Sequence, residues 1–317
     1  MIAFNLIAPI ELSRAGARAR GFSLVEMALV LLIVGLLAAV FLPATNTLLD
    51  NNRRKETRAK LEALEQAMVR FVMVNGRLPC PADGSLRSNS PNYGVELRTP
   101  ATGVCTAINT GVVPWRSLGL AANDAADAWN TQITYRTRGD LVASSTSLGL
   151  TLDRALDMGA CDPLGTGAAS AQTLGLHARQ GCAACSSATL PSCTSPLNWL
   201  NGRGLQVRTG NGTLVLMDPA LGTGAAFVLI SHGANRHGGY PLDTSPLGPP
   251  INIINVNPLN RGDFENTNNS NNNAPQPFYV NIELSEAPGP NHFDDILLHP
   301  SVMSVVLAAG LGPRKQP

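Results

Sequence analysis

From Phe22 to Leu42 the chain runs through twenty-one residues, of which Glu26 alone is ionisable. At 1.5 Å of rise per residue a helix of that length covers roughly 30 Å, the hydrocarbon thickness of a bilayer, so the run predicts a membrane-spanning helix. A carboxylate inside such a span costs about 2.5–3.5 kcal/mol on insertion scales and calls for a partner. The simplest alternative puts Glu26 near the start of the span, reaching out to the headgroups.

The residues before the run narrow this. Gly21 follows a basic leader with Arg14, Arg18 and Arg20, and precedes Phe22, with the glutamate four positions further on. The stretch GFSLVEMALVLLIVGLLAAV, with Pro43 just beyond it, resembles the leader and cleavage site of type IV pilins and of the pseudopilins of type II secretion. That resemblance implies a cut after Gly21 by a prepilin peptidase and methylation of the new amine on Phe22. It also implies an inner-membrane protein with a periplasmic head, later assembled into a periplasmic pseudopilus or an extracellular pilus. Its partners would be other pilin or pseudopilin subunits, the peptidase and an inner-membrane assembly platform. Glu26 would neutralise the Phe22 amine of a neighbouring subunit, since a paired charge in lipid costs far less than a lone one. The match covers about the first tenth of the chain and concerns processing and assembly, not the head.

Two other origins for the apolar run were weighed. An ordinary secretory signal needs small residues at the first and third positions before its cut. Along Gly35–Ala44 the pairs Gly35/Leu37, Ala38/Val40, Ala39/Phe41 and Leu42/Ala44 all fail. A plain one-span anchor gains nothing from charge counting, because Arg53, Arg54 and Lys55 flank the far side as strongly as the leader flanks the near one.

Cleavage after Gly21 would leave 296 of 317 residues, ample for one sizeable domain. A net charge of +1 gives no field for nucleic acid, and none is expected as a partner. Charged residues make up only 14%, with 30 Gly and 23 Pro, the profile of a loop-rich, exported head built mostly of strands. The fold class read from this is α+β and pilin-like: a long N-terminal transmembrane and spine helix packed on an antiparallel sheet head with a disulfide-rich insertion. The boundaries are a leader at 1–21, a helix at 22–75 (span 22–42 plus an amphipathic half), and a head at 76–317 with insertions at about 140–200 and 241–277.

Beyond the span, Leu61, Leu64, Met68, Phe71 and Val72 form a stripe of helical period, read as a seam against this protein's own sheet. Glu56 with Lys60 and Arg58 with Glu62 mark the solvated face. Asn75-Gly76 ends the helix, and Pro79 and Pro81 forbid its return. Six cysteines (Cys80, Cys105, Cys161, Cys182, Cys185, Cys193) lie past the span, an even set that reads as up to three disulfides in an oxidising compartment. A Cys80–Cys105 bridge would close a loop of moderate length. For the other four, Cys182-Ala-Ala-Cys185 invites a redox dithiol or half of a zinc site, and two structural disulfides are preferred.

NGRLPCPA, PWRSLGL at 114–120 and Asp127-Ala128-Trp129-Asn130 leading to Tyr135 again resemble pilin-like proteins, the last matching a DPWG(x)nY segment with Asn130 for glycine. Asn tolerates the left-handed conformation, so a turn survives there. Ile133 and Tyr135, alternating with Thr134, predict a half-buried strand, and Trp129 a core anchor. Runs at 204–208, 213–217 and 226–231, separated by turn residues, predict an antiparallel meander. A Ser231–His232–Asp243 hydrolase set lacks a nucleophile elbow, so His232 and His237 read as loop histidines. The Asn- and Pro-rich stretch around Arg261-Gly262-Asp263 has no apolar period and reads as a surface loop. Phe278–Leu284 alternates like a strand, and the apolar tail Ser301–Leu311 should cap the head.

The same resemblance admits one cofactor, calcium, at Asp294 and Asp295 with the preceding glycine turn; otherwise no cofactor is expected. No acid, base and nucleophile converge, so no enzyme is expected. The function implied is a structural subunit, minor in view of its bulk; the competing class is a binding head for a surface or an exported substrate, carried on a filament.

Overall fold

The computed structural model describes residues 23–100, 103–106, 111–139, 148–158, 199–210, 213–242, 278–285 and 292–312, with backbone only for 38–47. The chain divides into two units, Met1–Asp50 and Asn51–Pro317. Helix α1, Leu24–Asn75, crosses that boundary. In the first unit every described side chain from Ser23 to Leu37 is exposed.

The expected membrane-spanning helix at 22–42 is corrected at this point. Among the described residues no helix is long and apolar enough to cross a membrane. The single spine, half in lipid and half on a head, goes with it. What stands is an α+β chain with mostly antiparallel strands, in which α1 packs on the head from Asn51 onward.

Within the second unit, Leu61, Leu64, Met68 and Val72 are buried at three- and four-residue steps, while Phe71 is half-buried. Glu56 and Lys60 pair at 3.1 Å on the outer face, a contact of a few tenths of a kcal/mol. The helix stops where the sequence says it should. Gly76 takes φ +66 and its N–H closes the last turn on the Val72 carbonyl at 2.7 Å, a left-handed residue that a side chain would strain.

Ten short strands follow among the described residues: β1 (Ala82–Asp83), β2 (Gly111–Val112), β3 (Thr131–Gln132), β4 (Thr134–Thr137), β5 (Val207–Thr209), β6 (Leu214–Met217), β7 (Phe227–Ser231), β8 (Tyr240–Pro241), β9 (Tyr279–Val280) and β10 (Ile296–Leu298). Five make a central sheet in the order β1-β2-β4-β7-β10, antiparallel at every joint. β7 pairs Ile230 with Thr134 on one side and Ser231 with Ile296 on the other. All five of its residues are buried, as a short unbroken apolar run between turns implies. Phe227 and Leu229 enter the core shared with α1, Tyr135 and the C-terminal helix α2 (Val302–Ala308). Val228 and Ile230 enter a second core with Val207, Ala225 and Tyr279.

That second core corrects the predicted meander. β5 and β6 pair antiparallel as expected, but they belong to a separate sheet, β6-β5-β9, in which β5 and β9 run parallel. Alternation in the sequence shows that a strand exists, not which sheet takes it. The expected half-buried strand at 133–135 is also buried on both faces, with Ile133, Thr134 and Tyr135 all at 0% exposure. Of the strand expected at Phe278–Leu284, only Tyr279–Val280 forms. Asn130 does take φ +60 in its turn, and α2 caps the core through Val302, Val305 and Val306, with Ser301 accepting the Ser304 N–H at its start.

Cys80 and Cys105 form a disulfide across 25 residues, both ends buried. Cys161, Cys182, Cys185 and Cys193 lie outside the described residues. Beside the bridge, Arg77 grips Glu96 with two hydrogen bonds of 2.9 Å, and the Cys80 N–H donates to the same carboxylate at 2.9 Å. Burial acts to raise the Glu96 pKa, but the Arg77 hydrogen bonds, the Cys80 amide and the charges of Arg77 and Arg98 outweigh it and hold the carboxyl below its ordinary range.

Two outcomes follow from this corner. Replacing both Cys80 and Cys105 by Ser should lower unfolding free energy by about 3.5 kcal/mol from loop entropy, read by urea denaturation. The depressed Glu96 pKa adds stability that is fully present above the unfolded value of about 4.3 and disappears as pH falls through the folded value. Unfolding measured at stepped pH should therefore lose stability on acidification below about pH 4.5, and Glu96→Gln should flatten that part of the profile.

Candidate functional site

Gly21 and Phe22, the residues flanking the expected cut, lie outside the described residues. Glu26 is described, and its surroundings are specific. The Ser23 N–H donates to Glu26 Oε2 at 3.0 Å, and the Glu26 N–H donates to Ser23 Oγ at 3.2 Å. The Met27 N–H then bonds the Ser23 carbonyl at 3.2 Å, the first turn of α1. This reciprocal pair is a capping box, in which an N-cap hydroxyl and an acid three residues later satisfy two otherwise orphaned donors. Its sequence signature, Ser23-Leu-Val-Glu26 ahead of an apolar run, was available from the residues but was masked by the processing motif that overlaps it.

Glu26 therefore has a role inside one chain: its carboxylate is held at the N-terminus of its own helix, bonded to the residue that follows Phe22. A negative group is favoured there by the exposed N–H groups and the helix dipole. Ser23→Ala should weaken the cap by about 1 kcal/mol, seen as roughly fivefold faster amide exchange at Glu26, while Ser23→Thr should keep most of the protection.

The other titratable cluster sits where β7 ends against the approach to β10. Ser231 Oγ donates to Asp127 Oδ2 at 2.7 Å, and the N–H groups of Trp129 and Thr131 each donate to Asp127 Oδ1 at 2.9 Å. Burial raises the Asp127 pKa, and these hydrogen bonds only partly offset it. His232 lies in the loop just after β7, as read from the sequence, and is wholly buried there. One ring nitrogen, Nε2, lies 2.8 Å from Thr134 Oγ1 and the other, Nδ1, 3.6 Å from Asp295 Oδ1. The Thr134 hydroxyl, read from the sequence as facing solvent, is instead buried against this imidazole.

Asp294 accepts the Asn235 N–H at 2.9 Å and faces His292 Nε2 at 3.7 Å. Gly233, at φ +58, packs so tightly that an added Cβ would fall 2.4 Å from the Asp294 carbonyl oxygen. The turn after β7 and the segment before β10 are thus locked face to face, as the Ser231–Ile296 register requires.

Two chemical readings bear on this cluster. A nucleophilic serine needs its hydroxyl on a general base that a third group orients. Ser231 donates to a carboxylate and His232 turns to Thr134 and Asp295, while Asp243 lies outside the described residues. Calcium needs six to eight oxygens at about 2.3–2.6 Å. Asp294 and Asp295 each face a different imidazole, and among the described residues no group of three or more His, Cys, Asp or Glu side chains is arranged to hold a metal. What the cluster does is join β4, β7 and β10 by polar contacts buried between them.

No family model, no curated protein and no solved structure matches this chain, so the pilin likeness rests on the residues quoted for it.

Proposed function

We propose that this chain is a pilin-like filament subunit, cleaved after Gly21 by a prepilin peptidase and assembled through its N-terminal helix into a type IV pilus or a type II secretion pseudopilus. The observation that carries the reading is the single acid at the start of the apolar first part of α1: Glu26 held by Ser23, followed by exposed side chains from Met27 to Leu37. A helix apolar all round needs cover all round, and neighbouring copies of such helices supply it. The Cys80–Cys105 disulfide supports an oxidising compartment for the head. The 296 residues left after cleavage exceed what the resemblance leads one to expect of a repeating subunit, which favours a minor position.

Two measurements test this. Co-expressed with a prepilin peptidase, the chain should begin at a methylated Phe22 by mass spectrometry; retention of Met1 overturns the proposal. Charge pairing between subunits and capping within one chain are separable, because Gln also serves in a capping box. Glu26→Ala and Glu26→Gln should both leave the protein processed yet reduce its recovery in sheared filaments at least tenfold. Normal incorporation of Glu26→Gln with loss of Glu26→Ala would leave Glu26 a helix cap and remove its intersubunit role.

A further inference from the structure

We draw no further inference here: the strongest candidate, the exposed apolar edge strand Leu214–Met217 of the small sheet, carries none, because its ladder is broken by a register shift and nothing in the structure shows what covers it.

Discussion

The head depends on one strand serving two cores. Five consecutive residues, Phe227–Ser231, are buried, and their alternation sends Phe227 and Leu229 to the helices and Val228 and Ile230 to the small sheet. The strand gains about 1.5–3 kcal/mol from each of the four large side chains it buries. It also explains why its end is polar and locked: Ser231 and His232 emerge between β4 and β10, where every polar atom must find a partner or cost about 1–3 kcal/mol.

That polar end shows how chemistry-bearing residue types can be structural. Serine, histidine and three aspartates meet within one junction, yet each side chain points at a neighbour that holds it rather than at a shared reacting point. Glu26 has an ordinary helix cap as its local contact, and the assembly role belongs to the proposal. A cap and an assembly contact are compatible uses of a two-oxygen group, since the box occupies Oε2.

Much of the helix grammar was legible in the residues. The stripe from Leu61 to Val72, the stop at Asn75-Gly76 and the capping tail at 301–311 follow from period, turn chemistry and hydroxyl caps, all short-range effects. What stayed hidden is long-range. The pairing of Val207 with Tyr279 joins positions far apart in sequence, and no local pattern encodes a partner at that distance. The burial of Thr134 and His232 was likewise invisible, because each looks polar until the other is placed beside it. The membrane span is a different case: composition over 22–42 suggests it, while among the described residues no helix is long and apolar enough to cross a membrane.

The order of the strands along the chain has a consequence for biogenesis. The central sheet is completed by Ile296–Leu298 and the larger core by Val302, Val305 and Val306, all within the last stretch of the polypeptide. A ribosome must therefore deliver the residues through Val306 before this interior can close, and until then β7 waits with an uncovered edge and two greasy faces. Until those residues are made, an emerging chain keeps the surfaces of β7 open and prone to sticking.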